Sequence, residues 1–294
     1  MTTTVSFTVD AAHGPRPVSV EYKRTGAGEP LVLLHGIGHH HQAWDPVTRI
    51  LAAEREVIAL DLPGFGASPG LPDGVPYTLE AVTSVLGAFF EALGLDRPHV
   101  AGNSLGGLFA LELGRTGLAR SVTALSPAGF WNEPERRYAF ATLRAMRRAA
   151  LALPVPAIER LSRSAAGRTA LTSTIYARPG RRSPEAVVAE TLALRGATGF
   201  HQTLAAGGSV SVTDDVKGIP VTVAWGTRDR ILLRRQGIRA KHVIPDARLV
   251  RLPGCGHVPV NDDPALVARV ILDTSREADG ALHRPARLAA PQDA

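Results

Sequence analysis

The sequence predicts an α/β fold: a mostly parallel, twisted sheet with helices on both faces and a helical insertion between two of its strands. Three observations carry that expectation. Short, continuously apolar runs recur through the chain, as strands buried on both faces require. Segments with helical spacing of apolar residues separate them. The alternation then stops between Phe130 and Gly208, where arginine-rich helical text takes over, and resumes at Ile219-Pro220-Val221.

Taken in order, Val5–Val9 and Val18–Tyr22 alternate apolar and polar residues around His13-Gly14-Pro15, the pattern of an antiparallel hairpin at a sheet edge. Pro30–Leu34 and Val57–Leu60 are the first buried strands, followed by Val100–Gly102, Val122–Leu125, Val221–Trp225 and Arg248–Leu252. Helices are expected over Trp44–Ala53, Thr78–Leu93, Leu105–Thr116, Leu232–Val243 and Pro264–Thr274. Within the interruption, Phe140, Leu143, Met146 and Ala150 mark one helical face. The core is therefore expected from residues 1–129 and 209–274, and a helical cap from residues 130–208. Residues 275–294, rich in Ala, Arg and Pro without sustained periodicity, read as a disordered tail.

Composition narrows the function classes. The chain has 294 residues, a net charge of +6 and only three lysines, so its basicity is arginine. Twelve arginines and five acids fall between Phe130 and Gly208, which places the whole excess there. No recognition motif or basic–aromatic pattern accompanies it, so nucleic acid is not expected as a partner. No apolar run approaches the roughly 18–20 residues of a membrane span. Met1–Phe7 has neither a basic nor an apolar stretch, and Cys255 is the lone cysteine. A cytoplasmic protein without disulfides or signal peptide is the expectation.

The chemistry centres on Gly102-Asn103-Ser104-Leu105-Gly106, a G-x-S-x-G between an apolar strand and a helix start. A serine on that corner projects its hydroxyl above the sheet edge, and a Cβ at either glycine would collide with the neighbouring strand or helix. At neutral pH the serine needs a base, and the base needs an orienting acid. Gly254-Cys255-Gly256-His257 follows the Arg248–Leu252 strand, and Trp225-Gly226-Thr227-Arg228-Asp229 follows the strand before it. Both loops leave the carboxyl edge of the sheet, where such a site belongs. Asp214 and Asp215 precede a strand and point to the opposite edge.

With Asp61–Ser68 after the Val57–Leu60 strand, these motifs resemble the α/β-hydrolase superfamily over residues 15–129 and 209–274, in the order Ser, Asp, His. The resemblance implies Ser104 as nucleophile, His257 as base and acid, and Asp229 as its orienter. Ser126 stands where some relatives keep their acid. The resemblance also implies an oxyanion hole of the backbone N–H groups of Leu105, at a helix N-terminus, and Ile37, after His35-Gly36. No metal or cofactor is called for: consecutive His39-His40-His41 cannot converge on one ion. One of them, His40, is a candidate for substrate contact, as are Trp131 at the cap entrance and the cap arginines Arg178 and Arg195, which suit a carboxylate. Cys255 reads as a packed thiol.

The expected activity is a serine hydrolase acting on a small-molecule ester, lactone or thioester through an acyl-enzyme. The Gly-Asn-Ser-x-Gly-Gly run and basic cap also resemble carbon–carbon hydrolases of anionic ring-cleavage products. Val258 stands where that group has tryptophan, and His35-Gly36-Ile37-Gly38 lacks its Gly-Pro-Gly continuation. A ligand-binding protein with a retained triad and little turnover is the non-enzymatic alternative.

Overall fold

Alternate residues of one strand feed opposite sides of the sheet. Val32 and Leu34 pack into one core with Ile58, Leu60, Val100 and Val122. Leu31 and Leu33 pack into the other with Val57, Ala59, Ala101 and Leu125. A strand whose successive side chains both find apolar cover reads as a continuous apolar run, and each fully buried Val or Leu contributes about 1.5–3 kcal/mol.

The computed structural model describes residues 2–11 and 14–282. Among these, eight strands form one sheet: β1 (Thr2–Val9), β2 (Arg16–Thr25), β3 (Pro30–Leu34), β4 (Glu56–Leu60), β5 (His99–Asn103), β6 (Ser121–Leu125), β7 (Val221–Gly226) and β8 (Arg248–Leu252). Their spatial order is β1-β2-β4-β3-β5-β6-β7-β8. The β1–β2 and β2–β4 pairs are antiparallel and all later ones parallel. The hairpin thus sits at the edge where the alternation puts it; His13 of its expected turn lies outside the described residues.

Helices α1 (Asp45–Leu51), α2 (Leu79–Ala92) and α3 (Leu105–Arg115) fall between the early strands. Between β6 and β7 come α4 (Glu133–Ala152), α5 (Val155–Ser162), α6 (Ala165–Thr172), α7 (Pro184–Gly196) and α8 (Phe200–Ala206). The prolines that punctuate the sequence at 154, 156 and 184 stand before or in the first turn of α5 and α7, where a missing N–H costs nothing. α4 begins with a reciprocal capping box between Asn132 and Glu135. The same Glu135 side chain holds Arg235 and Arg239, tying α4 to α9 (Arg235–Val243).

Two expectations need correction. α9 starts at Arg235 rather than Leu232; before it, the Ile231 and Leu232 N–H groups turn back onto the Asp229 carboxylate. After the short α10 (Pro259–Asp262), α11 runs Pro264–Leu282, eight residues past the expected end at Thr274. Polar anchors hold the extension: Arg55 donates to Ser275 and pairs with Asp279 at 2.6 Å, and Ala278 is buried. Residues 283–294 of the expected tail lie outside the described residues. No helix of the described residues is long and apolar enough to cross a membrane.

Candidate active site

Ser104 occupies the single residue between β5 and α3, with φ 56° and ψ −113°. A non-glycine residue there carries strain of about 1–3 kcal/mol, which the surroundings must hold. They do so through the backbone: Ser104 N–H donates to Leu125 O at 2.9 Å, and Ser104 O accepts from Leu108 and Ala128 N–H. The corner closes only because Gly102 and Gly106 lack side chains. A Cβ on Gly102 would overlap the Gly106 carbonyl, and one on Gly106 would overlap that of Leu34.

Asp229 lies just past β7 and is buried. Its Oδ1 accepts the Ile231 and Leu232 N–H groups, each at 2.9 Å, and its Oδ2 accepts Nδ1–H of His257 at 2.8 Å. A carboxylate can only accept, so the proton of neutral His257 resides on Nδ1 and Nε2 is left as the basic nitrogen. His257 and Ser104 line the same cavity of about 340 Å³, together with Ile37 and Asn103. Leu105 is the first residue of α3, where an N–H has no carbonyl one turn back to donate to. Ile37 and Leu105 both border a second, smaller cavity that also reaches Ser104.

Two residues that sequence reasoning passed over position the histidine loop. Asn103 Nδ2 donates to the carbonyls of His257 (2.9 Å) and Leu125 (3.0 Å), bridging β5, β6 and that loop. Asp262, itself buried, accepts Gly256 N–H at 2.8 Å, and with the same carboxylate takes Ala177 and Arg178 N–H at 2.9 and 2.8 Å. Val258 N–H adds a bond to Ile175 O. The loop that carries His257 is thereby sewn to residues 175–178 of the helical segment. Asn103 was visible as the neighbour of the serine; Asp262 had only its place five residues beyond His257 to mark it.

The remaining expectations divide. Trp131 borders the smaller cavity, with Nε1–H donated to Val210 O at 3.1 Å. Among the three histidines it is His39, not His40, that lines the larger cavity. Its two ring nitrogens have no partner among the described residues. Burial lowers both His39 and His40 to about 3, so they are neutral rings near pH 7. His41 turns away to Asp61, bonding it through its backbone N–H and Nδ1. Arg195 and Arg178 line neither cavity. Arg195 donates to the carbonyls of Ala150, Leu151 and Leu153, capping the C-terminus of α4, and Arg178 donates to Asp262 O. Carbonyls at a helix end offer a guanidinium what a substrate carboxylate would, without leaving the fold.

No arginine or lysine is among the described residues that line the larger cavity. The charged side chain there is Glu190, whose Oε1 accepts from Arg182 and from Tyr176 Oη (2.9 Å) while Oε2 has no partner among the described residues. Most of the rest is aliphatic, including Met146, Leu153, Leu171 and Leu194. Cys255 is buried, and burial pushes its thiol up to about 12, which removes it as a nucleophile near neutral pH.

Over 277 residues the chain is 27% identical to an uncharacterised protein of Mycobacterium tuberculosis, covering 88% of this chain and 79% of that one. A shorter stretch of 89 residues is 42% identical to 2-hydroxy-6-oxo-2,4-heptadienoate hydrolase of Pseudomonas putida, covering 29% of this chain and 32% of the other. The fold matches a thermophilic esterase from Thermogutta terrifontis with a TM-score of 0.74 at 21% identity, over 94% of this chain and 99% of the esterase. The model of the alpha/beta hydrolase family matches residues 31–270, which include the serine corner and both loops that face it, and the chain belongs to that family.

Proposed function

We propose that the chain is a serine hydrolase that cleaves neutral carboxylic esters through an acyl-enzyme on Ser104. The observation that carries this reading is the 2.8 Å bond from Nδ1 of His257 to Asp229, which leaves Nε2 basic at a cavity shared with a strained Ser104.

In the first half-reaction Nε2 takes the Ser104 proton as Oγ bonds to the substrate carbonyl carbon. The carbonyl π pair moves to its oxygen, which the N–H groups of Ile37 and Leu105 receive at the helix N-terminus. The intermediate collapses, the carbon–oxygen single bond breaks, and His257 protonates the departing alkoxide. Water then repeats the sequence: His257 accepts its proton, hydroxide adds to the acyl carbon, and Ser104 leaves with the proton returned. Asp229 stays ionised throughout and steadies the imidazolium.

Neutral substrates are favoured because Arg178 and Arg195 are committed elsewhere, no arginine or lysine is among the described residues lining the larger cavity, and Glu190 in its wall is paired with Arg182. The dienoate named for the Pseudomonas relative is an anion, and the described residues lining the larger cavity offer the carbon–carbon reading no arginine or lysine to receive it. Residues 130–208 act in this proposal as the cap that roofs the site, since α4 and α7 supply much of the larger cavity's wall. The lone cysteine accords with a cytoplasmic setting.

A fluorophosphonate should label Ser104 and be blocked in Ser104→Ala, with steady turnover on a panel of neutral esters. Labelling without turnover would identify a binding protein that keeps the triad. Turnover confined to a dienoate would establish the carbon–carbon reading instead.

A further inference from the structure

The nucleophile stands where two unequal cavities meet. The larger, about 340 Å³, has His257 and Val258 in its wall beside Ser104. The smaller, about 50 Å³, is lined by Ser104, Ile37, Leu105, Trp131, Phe140 and Leu204 among others; Ser104 and Ile37 line both cavities, and His257 is not among the smaller one's lining residues. Resting on the reading above, chemistry dictates which part of an ester goes where. Of the four substituents on the tetrahedral carbon, one is Oγ and one is the oxyanion held by Ile37 and Leu105. The departing oxygen must lie against Nε2 of His257, because that nitrogen protonates it. The leaving group is therefore confined to the side that His257 borders, and the acyl chain takes the other.

We propose that the substrates are esters of a short acid with a bulky, neutral and largely apolar alcohol. The small cavity holds on the order of two to three water-sized groups, enough for an acetyl to butyryl chain. Its wall is apolar, with the Trp131 and Phe140 rings edge to face at 5.6 Å. The larger chamber is several times as roomy and presents aliphatic side chains such as Met146, Leu153, Leu171 and Leu194 to the alcohol. The same placement serves deacylation: once the alcohol departs, the vacated chamber opens His257 to water while the short acyl chain stays in place.

Octyl acetate and methyl nonanoate test this directly, since they are constitutional isomers that exchange the long chain between the two sides. Because one misfitting methylene is worth about 10–200-fold in an apolar pocket, kcat/KM for octyl acetate should exceed that for methyl nonanoate at least about 100-fold. Phe140→Ala, which enlarges the small cavity, should raise the ratio of hexanoyl to acetyl ester kcat/KM at least about tenfold. Faster hydrolysis of methyl nonanoate, or an unchanged hexanoyl-to-acetyl ratio in a folded Phe140→Ala protein, overturns the assignment. So does turnover of 4-nitrophenyl acetate with neither isomer hydrolysed. Failure of every ester together with absent fluorophosphonate labelling of Ser104 would instead defeat the parent reading of a serine hydrolase.

Discussion

Lowering the pH from 7.5 to 5 should cost the fold about 6 kcal/mol through three buried histidines. Burial is the first cause in each case. It holds His39 and His40 at about 3 and His99 at about 4, against an ordinary value of 6.5. The charges facing His39 (Arg182 and the His35 and His257 rings) add to the depression. For His99, Asp279 opposes it while Arg55 and Arg120 reinforce it. A histidine whose folded pKa is depressed stays neutral in the fold and takes up a proton in the unfolded chain, so stability is full above 6.5 and falls as the pH drops towards the folded value. At pH 5 the deficit is roughly 1.5 pH units of linkage, about 2 kcal/mol for each ring. The sum approaches the whole stability of an ordinary domain, about 5–15 kcal/mol. Urea unfolding at a series of pH values reads it directly: near pH 5 the slope should correspond to about three protons, or roughly 4 kcal/mol per pH unit. His99→Gln should remove about one proton from that slope whatever its own effect on stability. A slope below one proton between pH 5 and 6 would refute the claim that these rings are buried and neutral.

Ser104→Ala and His257→Ala should each lower turnover by about 10⁴–10⁶, and the double variant should be scarcely worse, since residues acting as one unit are not additive; initial rates on an acetyl ester give the comparison. Asp262→Ala should lower kcat at least about tenfold with a smaller change in KM, because the His257 loop loses its anchor and small misplacements at the reacting atoms are expensive. Asp262→Asn should recover only part of this, as an amide NH₂ would face an N–H donor that the carboxylate accepts. Arg195→Gln should lower Tm by uncapping α4, while the ratio of kcat/KM for an anionic ester to its neutral isostere stays unchanged across salt concentrations.

The chain's periodicity made the sheet legible because β3 to β7 are buried on both faces, so Pro30–Leu34 and Val57–Leu60 are unbroken apolar runs. The later runs, Val100–Gly102, Val122–Leu125 and Val221–Trp225, are apolar apart from small or hydroxyl residues, at strand length and between helical segments. The placing of Ser104, Asp229 and His257 together was legible for a related reason: each follows a strand end, where glycines mark sharp corners. What escaped the sequence depends on contacts between distant segments. Nothing local distinguishes Arg195, spent on α4 carbonyls, from an arginine awaiting a substrate. Nor does anything local in the run His39-His40-His41 say which ring will face the cavity. The C-terminal extension of α11 was missed because its anchors, Arg55 and His99, lie far upstream and are polar, so no apolar periodicity announces them.

If His257 is the base of the proposed mechanism, the stitching of residues 175–178 to its loop makes the roof of the site and the proton shuttle one mechanical part. Lifting that stretch would break the bonds from Ala177 and Arg178 to Asp262 and from Val258 to Ile175, releasing the turn that aims Nε2. In the proposed mechanism, an opening at that side would therefore switch off the base in the same stroke. The opposite flank, around Trp131 and Val210, carries no such tether to His257 among the described bonds. A displacement at that flank would therefore leave the proposed base aligned.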